Sequence, residues 1–394
     1  MTTFGVEEEY FLIDPHTLRP VGAADAVLGE LEPETTTTGL VTHEFLTSQV
    51  ERATPVFTGL DEAEADLARF RGRLTSAARS HGVLAVATGT PFDAEAEADL
   101  ARFRGRLTSA ARSHGVLAVA TGTPFDAEAV TAVTRSSRYQ QIRAGLGDIV
   151  RDHQICATHV HVGVPDREAG VQALNHVRVW LPTLMALSGN SPFWRGRDTG
   201  FESWRAVIMR RWATTGCPPA FADAADYDRR IRRLVGVAGT VDTATVAWYA
   251  RLSERYPTLE VRVADAQLDP GSAALLAALV RGLVITGLAS AVRGAPPPEL
   301  EPELLDASLF HASRDGIGGR LLHPVTRELA PARTVVDGLL HQVDDALTIA
   351  GDQLRVAALL DRLWVSGTGA QAQRHALQSD GLAGLRGLYD PART

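Results

Sequence analysis

The decapeptide GVEEEYFLID at residues 5–14 places three adjacent glutamates inside a run that otherwise has the composition of a buried β-strand. Side chains alternate between the two faces of a strand, so Glu7 and Glu9 share one face and Glu8 points to the other. Burial of neighbouring carboxylates is unfavourable unless positive charge compensates them. This segment alone leaves two interpretations open: a solvated edge strand, or one half of a divalent-metal site.

The composition of the chain restricts the classes of protein to which it can belong. Its 394 residues, of which 45% are hydrophobic and 22% charged, suit a globular protein of one large or two ordinary domains. A net charge of −8 argues against nucleic acid or an anionic membrane as the main partner. The apolar run at 271–292 contains Arg281 and is interpreted as a buried helix, not as a membrane span. Only two cysteines and no apolar leader predict a cytoplasmic protein without a disulfide framework.

All 39 basic residues are arginine, because the sequence has no lysine. P-loop NTPases, protein kinases, Schiff-base enzymes and pyridoxal-phosphate enzymes each need a lysine and are therefore excluded. Any phosphate chemistry in this chain must rely on arginine and metal ions.

Residues 62–96 recur letter for letter as residues 95–129, with an offset of 33 residues. Perfect identity between only two copies indicates a recent tandem duplication and not a solenoid. Each copy predicts an amphipathic helix followed by a short strand, at 83–87 in the first copy and 116–120 in the second. We expect the second strand to occupy the place of the single ancestral strand, because it leads directly into the downstream sequence.

The remaining sequence alternates short strands with helices and predicts an α+β protein. The predicted strands are residues 3–13, 42–51, 155–163 and 257–264. The predicted helices are residues 167–188, capped by Asp166 and bent by Pro182, then 222–236, 272–292 and 333–363. Residues 1–292 are interpreted as one catalytic domain, and residues 293–394 as a linker and a helical C-terminal extension packed on that domain.

A second polar pattern on a strand is THVHVG at residues 158–163. His159 and His161 share one face, while Val160 and Val162 face the other side. A single histidine on a strand is usually a satisfied polar residue, whereas two on one face favour contact with a metal or a phosphate.

A third pattern is PTLEVRVADAQ at residues 257–267, in which Glu260 and Arg262 share one face. They form either a plain ion pair, or a metal ligand beside a phosphate clamp, since the arginine fork matches phosphate oxygens. Both interpretations are open at this point.

Glu44 and Glu51 flank the segment FLTSQV. Their odd offset would send them to opposite faces of one unbroken strand. A turn or a bulge near Thr47–Ser48 would let the two carboxylates converge.

Side chains from these four distant segments can be combined into one site. Five carboxylates and one imidazole suit Mg²⁺ or Mn²⁺ better than Zn²⁺, and several carboxylates in one place imply more than one ion. Together with arginine, such a set predicts a site that holds a polyphosphate and transfers its terminal group. The predicted ligands are Glu7, Glu9, Glu44, Glu51, His159 and Glu260.

Four ordered segments of the chain resemble bacterial carboxylate–amine ligases of the glutamate–cysteine ligase type 2 family, in the glutamine synthetase-like superfamily. The segments are GVEEEYFLID, THVHVG, LSGNSPFWRGRDTGFESWR (187–205) and PTLEVRVAD, and the resemblance covers most of residues 3–290. It implies an antiparallel sheet, packed by helices, whose concave face binds ATP and two or three Mg²⁺ ions.

The resemblance also implies roles for individual residues. The six positions above look like the metal ligands, and Arg262 looks like a catalytic arginine that contacts the transferring phosphate. His161, Asn190, Arg197 and Arg205 are further candidates for contact with nucleotide or substrate, with Arg205 as a second catalytic candidate.

The implied reaction joins the γ-carboxylate of glutamate to an amine, such as that of cysteine, through an acyl phosphate, with release of ADP and phosphate. The resemblance implies small-molecule substrates and a homodimer or a higher even assembly. Two alternatives stay open: a metal-dependent hydrolase using His159 and His161, or a non-catalytic ATP-binding relic. The chain departs from the family pattern in its duplication, in GTPF for GTHP at 89–92 and 122–125, and in WYAR for WDVR at 248–251.

Overall fold

An eight-stranded sheet forms the centre of the fold. The computed structural model describes residues 2–30, 40–54, 56–57, 85–86, 117–128 and 132–390. The helices expected in the two copies of the duplication lie outside these residues.

The strands of the described residues follow the alternating patterns of the sequence. They are β1 (Phe4–Ile13), β2 (Leu40–His43), β3 (Gln49–Ala53), β4 (Ala85–Val86), β5 (Leu117–Val119), β6 (Ala157–Gly163), β7 (Phe193–Trp194), β8 (Arg197–Asp198), β9 (Ala250–Leu252), β10 (Thr258–Asp265), β11 (Arg320–Leu322) and β12 (Leu329–Pro331). The main sheet has the order β2–β3–β1–β6–β10–β9, and all these neighbours are antiparallel. β7–β8 and β11–β12 form separate hairpins.

Helices in the described residues account for most of the chain after β6. They are α1 (Ala24–Glu30), α2 (Ser137–Leu146), α3 (Arg167–Val177), α4 (Leu181–Leu187), α5 (Trp204–Met209), α6 (Ala224–Gly236), α7 (Pro270–Val292), α8 (Pro302–Asp315), α9 (Ala332–Ala350), α10 (Gln353–Ser366) and α11 (Gly369–Tyr389). Asp166 caps α3 as expected, because its Oδ1 accepts a hydrogen bond from the Ala169 amide at 2.8 Å.

Several predicted elements are divided in the structure. The predicted strand 42–51 is the hairpin of β2 and β3. The predicted helix 333–363 is two helices, α9 and α10, because Gly351 adopts a left-handed φ of 77° at the end of α9. The predicted helix 167–188 is interrupted by a 3₁₀ turn at Arg178–Trp180, directly before Pro182. The C-terminal region is not all helical, since it contains the β11–β12 hairpin.

The two faces of the sheet differ because side chains alternate along each strand. Phe4, Val6, Val160, Val162 and Val261 pack with α7 in the main apolar core. The intervening residues of β1, β6 and β10 point away from α7, and these are the acidic and histidine positions noted above. The polar site therefore lies on the sheet face opposite α7.

Helix α7 is a core helix, as expected for the apolar run at 271–292. It is long and apolar enough to cross a membrane, but 67% of its most apolar window is buried inside the protein. Arg281 within it is 2% exposed and pairs with Asp352 at the start of α10. A buried, paired arginine and helices packed around it are consistent with the interior of a globular domain.

The second copy of the duplication supplies the strand next to β1. Residues 11–13 of β1 pair with β5, and β4 from the first copy pairs in parallel with the outer edge of β5. This arrangement agrees with the expectation from the sequence. The chain after β5 is held by Thr121, whose hydroxyl donates to the Asn190 carbonyl at 2.6 Å.

The C-terminal helix α11 is tied to the sheet region by a buried hydrogen-bond network. Gln373 Nε2 donates to Asn190 Oδ1 at 2.7 Å, and the Tyr389 hydroxyl donates to Gln373 Oε1 at 2.7 Å. Gly369 begins the helix against Asn190, where a Cβ atom would overlap the amide oxygen. Residues after 293 thus contact the same body as the sheet, and a domain boundary at residue 293 stays a prediction.

Candidate metal centre

Strand register places the predicted ligands opposite one another. Glu7 lies across from His159, and Glu9 lies across from Glu51. His161 lies across from Glu260 on the next pair of strands. Directly opposed residues of an antiparallel pair are the closest neighbours across a sheet, so residues distant in sequence meet on one face.

Three groups of side chains have ligand atoms within 4.8 Å of one another. The groups are Glu7–Glu51–His159, Glu7–His161–Glu260 and Glu9–Glu44–Glu51. We call them cluster 1, cluster 2 and cluster 3. Every predicted metal ligand belongs to at least one cluster, and His161, predicted only as a nucleotide contact, belongs to cluster 2.

The turn between β2 and β3 brings Glu44 into cluster 3. β2 ends at His43 and β3 begins at Gln49, so Glu44 and Glu51 lie on two antiparallel arms. The Glu44 carbonyl accepts a hydrogen bond from the Thr134 hydroxyl at 2.6 Å, which anchors the turn. The expected turn near Thr47–Ser48 is present, and the two carboxylates converge.

Glu8 points to the opposite face of β1 and has a structural partner there, as expected. It is fully buried, and the Tyr10 hydroxyl donates to Glu8 Oε2 at 2.5 Å. The three consecutive glutamates therefore divide into two candidate ligands and one structural carboxylate.

Cluster 3 gathers three carboxylates with little compensating charge. Burial and, after it, the nearby Glu44 carboxylate raise the pKa of Glu9 to about 8. Burial also raises the pKa of Glu44. The pKa of Glu51 rises well above its ordinary value through burial and through the charges of Glu7, Glu44 and Glu9. Three buried carboxyl groups with raised pKa values thus lie close together. A bound cation would offset the negative charge that they carry when ionised.

In clusters 1 and 2, neighbouring histidines and arginines offset the negative charge of two of the carboxylates. Burial alone would raise the pKa of Glu7, but the neighbouring His159 and His161 bring it well below its ordinary value. The pKa of Glu260 is also lowered despite burial, chiefly by the charges of Arg262 and Arg251. These two carboxylates are therefore ionised at neutral pH.

The pKa values of the two histidines shift in opposite directions. Burial, and then Arg262, lower the pKa of His159 to about 4, so its ring is neutral at pH 7. Burial would lower the pKa of His161 too, but Glu7 and Glu260 raise it. His161 Nδ1 lies 3.0 Å from the Thr258 hydroxyl, which fixes the ring. Its buried Nε2 has no hydrogen-bond partner in the described part of the chain and lies 3.4 Å from Glu7 Oε1.

Arg262 lies at the centre of clusters 1 and 2. Its guanidinium pairs with Glu260 and lies 3.3 Å from His159 Nδ1. The buried acids around it raise its pKa, so it is a permanent cation. An arginine in this position can contact a phosphoryl group held over the clusters.

Three other sequence-predicted residues do not lie in the clusters. Asn190 is fully buried, and its amide donates to the carbonyls of Ala120 and Ala266 and accepts from Gln373. Its contact with nucleotide or substrate stays a prediction. Arg197 is exposed on β8, outside the three clusters.

Arg205 is 2% exposed and contacts the backbone of β10. It donates to the backbone carbonyls of Val263 and Arg262 at 3.2 and 3.0 Å. The charge of Arg205 also partly offsets the rise that burial causes in the pKa of Glu9, and its contact with nucleotide or substrate stays a prediction.

Sequence reasoning missed two residues that contact the clusters. Arg251 on β9 pairs with Glu260 at 2.9 Å. The Tyr139 hydroxyl on α2 donates to Glu44 Oε2 at 3.4 Å. Arg251 lies in the WYAR stretch, and a basic residue there could have been matched to the acidic Glu260 on the following strand. No local pattern marks the second.

A cavity of about 290 Å³ lies beside cluster 2. Its lining includes Thr258, which holds His161, and Tyr256, which is 52% exposed and edge-on to the His161 ring. Arg167 and Arg255 also line it. Asp166 and Glu254 line it as well, so the cavity offers an aromatic ring and charges of both signs next to a candidate cation site.

The profile of the Glutamate-cysteine ligase family 2 (GCS2) matches residues 3–92 and 93–385, two segments that meet inside the duplicated region. A relative from Nocardia farcinica, assigned by name as a glutamate–cysteine ligase 2-1, is 37% identical over 96% of this chain and 89% of its own length. Another from Streptomyces avermitilis, with the same assignment, is 36% identical over 97% of this chain and 96% of its own length.

Solved structures of ligases share the fold. Glutamate–cysteine ligase from Francisella tularensis, in complex with AMP, aligns with a TM-score of 0.60 at 12% identity, covering 100% of this chain and 89% of that one. A bifunctional glutathione synthetase from Pasteurella multocida aligns with a TM-score of 0.56 at 13% identity, covering 98% of this chain and 51% of that one. At such identities the similarity establishes the fold alone.

The chain combines helices packed on one face of an antiparallel sheet with clustered acids on the other, and it shares its fold with these ligases. The chain belongs to glutamate–cysteine ligase family 2. The predicted family, the α+β fold and the enzyme class of ligase are confirmed.

Proposed function

We propose that this chain is an ATP-dependent ligase that joins the γ-carboxylate of L-glutamate to the amine of L-cysteine or of another amino compound. A γ-carboxylate oxygen attacks the terminal phosphorus of ATP, giving an acyl phosphate and ADP, and the amine then displaces phosphate. The observation that carries this proposal is the convergence of the three clusters on one sheet face beside Arg262.

The donor set fits two or three Mg²⁺ or Mn²⁺ ions. Carboxylate oxygens dominate it, and the buried Nε2 of His161 lies among them, 3.4 Å from Glu7 Oε1. Bound ions would supply positive charge to phosphate oxygens. The residues proposed to hold them are Glu7, Glu9, Glu44, Glu51, His159, His161 and Glu260.

The chain's own cations would act on the transferring group. Because the sequence has no lysine, Arg262 is the proposed contact for the terminal phosphoryl oxygens. The cavity beside cluster 2 is proposed to receive the rest of the nucleotide, with the exposed Tyr256 ring against the base. Glutamate and the amine would then approach from the side of cluster 3. A cytoplasmic location and a homodimer stay predictions.

The test is ADP release from purified protein with ATP, Mg²⁺, L-glutamate and each amino acid in turn, with mass spectrometry of the product. We expect ADP formation that needs both glutamate and an amine, and an amide product. The control Glu9→Ala removes a proposed ligand and should abolish ADP release. Hydrolysis without ADP would favour a metal-dependent hydrolase, and calorimetric binding of ATP without turnover would favour a non-catalytic relic.

A further inference from the structure

Arg251 lies directly opposite Glu260 across the β9–β10 pair. Its Nε donates to Glu260 Oε2 at 2.9 Å, and the two side chains are only 14% and 3% exposed. Water therefore screens this ion pair weakly, and the loss of Arg251 would leave the buried Glu260 with Arg262 as its remaining arginine partner.

The same guanidinium is anchored on a second side. Its NH1 donates to the carbonyl oxygens of Ala244 and Val246, which belong to the loop before β9. A guanidinium is planar, and hydrogen bonds to acceptors in several fixed directions restrict its rotation. Arg251 thus presents Nε to Glu260 in one orientation.

The two oxygens of Glu260 have different neighbours. Oε2 faces Arg251, whereas Oε1 contacts Arg262 and lies 3.9 Å from both His159 Nδ1 and His161 Nε2. Oε1 is therefore the oxygen on the side of cluster 2, and the contact with Arg251 keeps the carboxylate from rotating away from it.

We propose that Arg251 is a positioning residue that holds Glu260 Oε1 toward a divalent cation in cluster 2. It also keeps the charge of Glu260 compensated while Arg262 turns toward a phosphoryl group. This inference rests on the proposed function, in which Glu260 is a metal ligand. Groups that orient a metal ligand in this way typically change metal affinity when they are replaced.

The experiment measures Mn²⁺ binding to the full chain without nucleotide, from the electron paramagnetic resonance signal of free Mn²⁺. Wild type is compared with Arg251→Gln, with Arg251→Lys and with the matched control Arg210→Gln, whose guanidinium pairs with Asp306 at the surface. We expect Arg251→Gln to lower the affinity about 10–100-fold and the control to leave it unchanged. Arg251→Lys should be intermediate, because an ammonium can pair with Glu260 but cannot keep the forked contacts to the loop.

Circular dichroism and thermal unfolding identify the variants that fold. Wild-type affinity in folded Arg251→Gln overturns the inference, as does wild-type affinity in Arg251→Lys if the glutamine variant does not fold. Failure of the wild-type protein itself to bind Mn²⁺ contradicts the proposed function instead, so the two failures are distinguishable.

Discussion

Replacement of Glu9 by glutamine should stabilise the metal-free protein while it removes a proposed metal ligand. Glutamine has nearly the same shape, and its oxygen can accept the hydrogen bond that Glu9 Oε2 now accepts from the Ala157 amide at 2.8 Å. Its amide nitrogen can donate to Glu44 or Glu51 without the proton that the Glu9 carboxyl must take up on folding.

The size of the effect follows from the pKa of Glu9, which is about 8 in the folded protein against an ordinary value of 4.5. The folded protein therefore holds a proton that the unfolded chain releases, and stability falls as the pH rises from 4.5 to 8. With about 1.4 kcal/mol for each pKa unit, the ionisable side chain lowers the free energy of unfolding by roughly 3 kcal/mol at pH 7. Glu9→Gln should recover most of this free energy of unfolding, which corresponds to a rise of about 4 °C in Tm for a chain of this length.

Thermal unfolding in the presence of EDTA measures this difference at neutral and at mildly acidic pH, with the exposed Glu128→Gln as control. The gain should vanish below the ordinary pKa of glutamate and should reverse in saturating Mg²⁺, which stabilises only the protein that binds it. A Glu9→Gln variant with no gain at neutral pH, or with a gain independent of pH, would refute the reasoning.

Three further changes test other parts of the structure. Tyr139→Phe removes the hydroxyl that contacts Glu44, and Mn²⁺ titration should show an affinity about threefold to tenfold lower, whereas an unchanged affinity would exclude this role. Gln373→Ala leaves the Tyr389 hydroxyl and Asn190 Oδ1 without their buried partner, so urea unfolding should show a loss of about 2–4 kcal/mol; a neutral result would contradict the network. Deletion of residues 62–94 removes one repeat but keeps β5, so Mn²⁺ affinity should persist, and loss of folding would contradict this.

Periodicity alone predicted which side chains share a face. Glu7 with Glu9, His159 with His161 and Glu260 with Arg262 all lie on the site face, because alternation follows from strand geometry. Alternation alone does not predict that these pairs converge, because convergence also depends on which strands are neighbours and on their register. The resemblance to a family supplied that information in advance.

Motif resemblance did not show whether a polar side chain points into the site or into the protein. Asn190 and Arg205 both lie in the segment 187–205, and both are buried with their side chains bonded to backbone carbonyls. Conversely, Arg251 and Tyr139 reach the clusters through β9 pairing and through the packing of α2, which are tertiary features. The breaks in the predicted helices likewise depend on single backbone conformations, as at Gly351.

The order of charges along the chain has a consequence for synthesis on the ribosome. Glu7, Glu9 and Glu51 emerge early, while Arg251 and Arg262, which offset the acids, follow about two hundred residues later. A nascent chain that ends before β9 therefore carries the acidic residues of β1 and β3 without Arg251 and Arg262, and it lacks β10, one of the two partner strands of β6. Clusters 1 and 3 need no residue beyond His159, whereas cluster 2 contains Glu260 and forms only after β10 has been made. Binding of a divalent ion at cluster 2 therefore requires synthesis of the chain through β10.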